Sequence, residues 1–289
     1  MDILTFQQTV CRAASRPELF FMFSGPGDIK EISHQVILPP DNGRVAALGP
    51  HPDDPESVAI TSRTMASEGC RVSYVIDCLS PSGVTDGYAL EAARRTGLKP
   101  VDDLGPHKKE LRRAEQTASA KLAGFVEEPP VFLELEEDKR GSMIASEANA
   151  RTIGGALAAI DTDIVLLPHG EDTNIDHALN WRYFRESAMR LAATRGRPLV
   201  GLYNRDPKTV RMTEMLVVPF DEEAARWKGE LLKTHRTQHE RNLEQRGHGF
   251  DYRILDLNRE TWQRLKAQIN APWTEGFAFA EVFQVECFY

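Results

Sequence analysis

Most of the short signatures that announce a mechanism are missing from this sequence. There is no GxGxxG dinucleotide loop, since "FSGPGD" reads as a turn, and no GxxxxGK[ST] phosphate loop or GxSxG nucleophile elbow. The four cysteines, Cys11, Cys70, Cys78 and Cys287, are scattered without a CxxC, so neither a disulfide framework nor a thiolate metal site is expected. Reduced thiols of this kind fit a cytoplasmic protein. The N-terminus has no basic start followed by an apolar core and a cleavage site, and "ELFFMF" is far too short to span a bilayer. Basic excess is also absent. With 35 Lys and Arg against 43 Asp and Glu, the formal net charge is −8. That balance argues against a general nucleic-acid binder and against a polybasic membrane contact.

What is present is an ordinary globular composition, 41% hydrophobic and 27% charged, over 289 residues. It is enough to bury a substantial core. Residues 1–42 carry turn signals such as "SGPGD" and "LPPDNG" and read as an N-terminal extension packing on the body. From residue 43 strands and helices alternate. "GRVAALGP", "CRVSYVIDCL", "PPVFLELEE", "TDIVLLPHG", "RPLVGLY" and "TEMLVVPF" are strand candidates. "DPESVAITSRTMASEG", "KKELRRAEQTASAKLAGF", "SEANARTIGGALAAI" and "DHALNWRYFRESAMRLAAT" are predicted helices. "DEEAARWKGELLKTHRTQHERNLEQRG" reads as one long polar helix, and residues 80–106 as a Ser, Gly, Asp and Pro-rich segment that shapes a pocket. The alternation predicts an α/β fold with a doubly wound, Rossmann-like, mostly parallel sheet, helices on both faces, and a single domain over 43–289. The sequence shows no repeat, low-complexity tract or linker.

In such sheets ligands lie at the carboxyl ends of the strands. Two polar clusters fall there. The first is "HPDD", where His51 and Asp54 have the spacing to hold one metal from a single turn, leaving Asp53 beside it as a general base. An aspartate capping the next helix accounts for the same residues about as well. The second is "PHGEDTNIDH", where His169, Glu171, Asp172, Asp176 or His177 offers a further ligand. Its bland reading is a polar loop with Asn174 or Asp176 as a helix cap. Arg112, Arg113 and Glu115 on the helix after the 80–106 segment read first as a solvated face. His235 and His239 share a helix face, but without a following Glu they are not the zinc-protease motif and are expected on a polar surface.

Taken together, "VAALGPHPDDPES", "VIDCLSPSGVTDG", "RRAEQTASAKLAGF", "DTNIDHALN", the His235 to Gln238 spacing and the terminal "AEVFQV" resemble the PIG-L, or LmbE-like, zinc-dependent N-deacetylases. The resemblance implies that His51, Asp54 and His177 hold Zn2+, with Fe2+ an alternative for such a ligand set. It implies that Asp53 is the general base, and that metal-bound water attacks an acetamide to release acetate and an amine. It assigns Arg112 a substrate contact. The family often carries a histidine where this chain has Asn174. Asn174 can donate a hydrogen bond to an oxyanion but no proton, so Asp53 is expected to return the proton and His169 is a substitute candidate. The expected partner is a small N-acylated molecule such as an amino sugar, with a thiol conjugate or an acylated antibiotic as alternatives. A homo-oligomer is compatible with the sequence, and a silent metal-binding protein on the same scaffold is the competing class.

Overall fold

A computed structural model describes residues 21–22, 42–97, 103–126, 129–269 and 272–289. The expectation that residues 1–42 wrap the body lies almost wholly outside these residues. Only Asn42 and the two-residue strand β1 (Phe21–Met22) are described there, β1 pairing antiparallel with β7 (Leu216–Phe220).

The strand candidates form one sheet in the order β1-β7-β8-β6-β5-β2-β3-β4. Its parallel half comprises β2 (Arg44–Gly49), β3 (Arg71–Ile76), β4 (Val131–Phe132), β5 (Ile164–Pro168) and β6 (Leu199–Asn204). The central strands are apolar on both faces because both faces are covered. Along β2, Val45 and Ala47 enter one core while Ala46 and Leu48 enter the other. β5 divides the same way, with Ile164 and Leu166 opposite Val165 and Leu167. Period-two alternation between two buried layers reads in sequence as a continuous apolar run.

The first core lies beneath α1 (Ala59–Ser67), α3 (Gly105–Ala123) and α6 (Glu222–Thr234). The second lies beneath α4 (Glu147–Ile160) and α5 (Ile175–Arg195). Side-chain caps start several helices, Ser146 accepting from Asn149 N–H for α4 and Asp221 from Ala224 N–H for α6. From β2 the chain winds outward through β3 to β4, then returns to β5 on the other side of β2. The β2/β5 junction is therefore the topological switch point, where a crevice opens at the carboxyl ends.

At the C-terminus Phe279–Phe288 forms β8, interior to the sheet and antiparallel to both β6 and β7. Within the segment after β3, Thr85 accepts from Tyr88 N–H and caps α2 (Asp86–Arg95). One expectation needs correction: the long polar helix is two, α6 and α7 (Arg236–Arg246), broken at His235. α8 (Phe250–Ile269) then packs Trp262 and Leu265 on Val217, Ala280 and Val282. Among the described residues no helix is long and apolar enough to cross a membrane.

Candidate metal centre

The "HPDD" stretch is a tight turn leaving β2. Asp54 N–H donates to His51 O at 3.3 Å, and Asp54 Oδ2 accepts from His51 N–H at 2.8 Å. That carboxylate therefore closes its own turn instead of capping the 3₁₀ turn over Pro55–Val58, which has no side-chain cap. A Cβ on Gly49 would stand 2.8 Å from Pro55 Cδ, so only glycine lets the turn fold back over the strand end. Asp53 has φ +100°, a conformation that disfavours most side chains by roughly 1–3 kcal/mol. α3 holds it there. Gln116 Oε1 accepts from Asp53 N–H at 3.1 Å, and Arg112 donates to Pro52 O at 2.6 Å, to Ser80 O at 3.1 Å and to Asp53 Oδ1.

β5 and the start of α5 supply the facing half. Asn174 is the helix cap, its Oδ1 accepting from Asp176 N–H at 3.1 Å. Asp176 and His177 lie in the first turn, both buried. The two imidazoles stand 5.8 Å apart, centroid to centroid. Each has one ring nitrogen on an outer carboxylate: His51 Nε2 lies 2.9 Å from Asp176 Oδ2, and His177 Nδ1 lies 3.2 Å from Asp172 Oδ2. The other nitrogens face Asp54, His51 Nδ1 at 3.4 Å from Oδ2 and His177 Nε2 at 3.7 Å from Oδ1. Ligand atoms about 2.1 Å from one tetrahedral ion would be about 3.4 Å apart. The donor atoms of His51, Asp54 and His177 thus fit a divalent metal, with Asp176 and Asp172 as carboxylates that orient the rings from behind.

A second group, Asp172, His177 and Asp206, also brings its donor atoms within 4.8 Å of one another. It shares His177 with the first. The nitrogen it would use is the one already facing Asp172, so this group is better suited to support than to ligation.

The electrostatics separate the adjacent aspartates. Burial pushes the Asp53 carboxyl above the usual range, more than the Arg112 charge pulls it down. Burial acts on Asp54 too, but His177 and His51 outweigh it and hold Asp54 below that range. One carboxyl of the pair is thereby suited to carry a proton and the other to stay ionised. Burial lowers His51, yet Asp176 and Asp54 override it and raise His51 to about 9; His177 is raised by Asp54 and Asp172 against its own burial. The site attracts positive charge at the position where the imidazoles converge, which a metal ion would satisfy in place of their protons.

A cavity of about 420 Å³ opens over these groups, lined by His51, Asp53, Asp54, Arg112, Asn174 and His177 among others. Arg112 is correspondingly not on a solvated face, and neither Glu115, bonded to Thr237, nor buried His235 has the polar-surface setting expected of it. His169 stands apart from the cavity lining. Its Nδ1 accepts from Glu171 N–H at 3.0 Å and its Nε2 lies 3.2 Å from Gln284 Oε1. Sequence reasoning passed over Asp206, although it comes just after β6 at the same edge. It also passed over Glu56, to which Gln116 and Ser119 donate and which lies 3.1 Å from His235 Nε2.

The model of the PIG-L family, described as GlcNAc-PI de-N-acetylase, matches residues 46–187. No curated protein matches the sequence significantly. Several solved structures share the fold. An N,N'-diacetylchitobiose deacetylase from Pyrococcus horikoshii superposes with a TM-score of 0.61 at 17% identity, covering 84% of this chain and 83% of its own. GalB, the 4-carboxy-2-hydroxymuconate hydratase of Pseudomonas putida KT2440, has a TM-score of 0.61 at 14% identity, covering 85% and 95%. A zinc-inhibited form of the teicoplanin deacetylase Orf2 gives 0.54 at 15% identity, covering 84% and 98%. The matched segment runs from β2 into α5 and holds both halves of the candidate metal centre, so over its core this chain matches the PIG-L family.

Proposed function

We propose that this protein is a metal-dependent hydrolase that removes an acyl group, acetyl foremost, from the amino group of a small molecule such as an amino sugar. The observation that carries this reading is the convergence of His51, Asp54 and His177 beside a raised Asp53 in one cavity. The deacetylases among the structural neighbours support it. His51 would bind the metal through Nδ1, His177 through Nε2, and Asp54 through its carboxylate. Zn2+ suits these donors, and Fe2+ shares them. A bound divalent ion supplies Lewis-acid polarisation of the amide carbonyl and acidifies water.

The remaining chemistry belongs to this chain's residues. Arg112 engages Oδ1 of Asp53 and leaves Oδ2 to take a proton from the attacking water. Asp53 then returns that proton to the leaving nitrogen, so amide and water become carboxylate and amine. Asn174, with its Oδ1 occupied by the helix cap, retains its amide N–H groups for the carbonyl oxygen as charge develops there. Asn174 cannot act as an acid, which places both proton transfers on Asp53.

The test is amine release from N-acetylated amino sugars by the zinc-loaded protein. Asp53→Asn should bind stoichiometric zinc yet lose at least ~100-fold in kcat, the scale of general acid–base assistance. A variant that keeps most of its rate would remove Asp53 from the proton role. Chelation should abolish turnover, and re-addition of zinc should restore it. Stoichiometric zinc with no amine from any acylated substrate would favour the silent scaffold instead.

A further inference from the structure

The cavity wall opposite the metal centre has no part in the chemistry above. α7 turns Gln238, Arg241, Asn242 and Gln245 into the cavity, the i, i+3, i+4, i+7 face of a helix, and Arg246 and Arg253 join them. This wall is fixed. Gln238 Nε2 donates to Gly83 O at 2.8 Å, Asn242 Nδ2 donates to Gln238 O at 2.8 Å, and Thr237 binds Glu115 through both N–H and Oγ1.

Three arginines stand on one wall, Arg246 exposed and the other two partly buried, and the protein provides them no counter-charge at contact distance. Among the described residues, the side chains of Arg241, Arg246 and Arg253 form neither an ion pair within 4.0 Å nor a hydrogen bond. Arg112, by contrast, has every acceptor it can reach. Arg241 and Arg253 are half-buried, and their charged forms are disfavoured by burial and by Arg246. Of the carboxylates that act on them from a distance, Asp53 and Asp206 belong to the floor of the same cavity, and Asp172 lies behind it. Beside the arginines, buried Asn242 keeps an Oδ1 without a hydrogen-bond partner. The cavity is thus acidic at its candidate metal-binding floor and basic along one wall.

We propose that Arg241, Arg246 and Arg253 form an anion subsite, and that the substrate carries a carboxylate or phosphate besides its acylamino group. The acylamino part of this proposal rests on the hydrolase reading; the anion subsite does not. Guanidinium groups pair both anions in bidentate, charge-assisted fashion.

The test uses the full chain loaded with zinc. Sulfate binding is measured by calorimetry. Amine release is measured on N-acetylglucosamine, on its 6-phosphate and on N-acetylmuramic acid. At least one charged sugar should exceed the neutral one at least ten-fold in kcat/KM, and the arm that does so separates phosphate from carboxylate. The double variant Arg241→Gln, Arg253→Gln should lower that preference and weaken sulfate binding, each at least ten-fold. Arg151→Gln, which removes an exposed charge on α4, serves as the control for net charge. Thermal melts verify folding, and the double lysine variant should recover part of the sulfate affinity. If the double glutamine variant folds and binds sulfate like the parent, the anion subsite is wrong. If no sugar releases amine, the hydrolase reading fails while the sulfate comparison still decides the subsite.

Discussion

Arg112 holds the conformation on which the centre depends. It meets the carbonyls of Pro52, Leu79 and Ser80 and the Asp53 carboxylate, all from a buried guanidinium. A Cβ on Gly83 would stand 2.7 Å from Arg112 Nη1, so the loop after β3 closes directly onto it. A lysine there has one compact ammonium and cannot span four acceptors in this geometry. Arg112→Lys should cost about 1–3 kcal/mol in urea unfolding, the range for buried acceptors left unsatisfied. It should lower kcat more than it raises KM, because Asp53 is misaimed while the cavity persists. A rise in KM alone would reassign Arg112 to substrate binding. Asp53→Asn is the cleaner substitution by contrast, since Asn tolerates positive φ as well as Asp does.

At the scale of elements, the break between α6 and α7 is the feature farthest from its sequence appearance. Nothing local stops a helix at "KTHRTQ". His235 is removed from the helix because it is buried against Glu56, far off in sequence on the turn after "HPDD". Burial opposes its charge, but Glu56 outweighs burial and raises its pKa. A histidine with a raised folded pKa contributes stability fully below its unfolded value of about 6.5. It loses that contribution as pH rises through the folded value. The stability difference between parent and His235→Gln should therefore be larger at pH 6 than at pH 9 in urea melts. A difference that grows with pH would mean that the pair is not ionised. The contrast between local and remote partners also decides which site residues are legible in the sequence. "HPDD" and "DTNIDH" are legible because local chemistry, prolines and a capping Asn, fixes each turn at the end of an apolar strand. Arg112, Glu115 and His235 resemble surface charge because their partners, Asp53, Thr237 and Glu56, are remote. His169 sits in the right loop but points to Gln284, a neighbour that only the antiparallel β8 brings close.

For the molecule as a whole, the antiparallel half of the sheet is tied to the edge that holds the candidate site by one buried charge cluster. Glu281 on β8 accepts from Ile60 N–H, Thr61 N–H and Thr61 Oγ1 at the start of α1, and from Lys228 Nζ on α6. Lys228 also donates to Ser57 O, on the turn just after "HPDD", and to Asn258 of α8. Both charges are fully buried, so removing one partner leaves the other uncompensated, at about 3–5 kcal/mol. Buried pairs can often be exchanged for apolar residues without loss, but that should fail here. Lys228→Met with Glu281→Leu would orphan the three donors of Ile60 and Thr61, each costing about 1–3 kcal/mol. Lys228→Met with Glu281→Gln keeps one amide oxygen, which serves the two Thr61 donors and leaves only Ile60 N–H without its acceptor. The Met/Gln protein should therefore be the more stable double variant in urea unfolding, although it buries more polar surface. If the Met/Leu protein were equal or better, Glu281 would be a counter-ion to Lys228 alone, and the link from β8 to the "HPDD" turn would carry no stability.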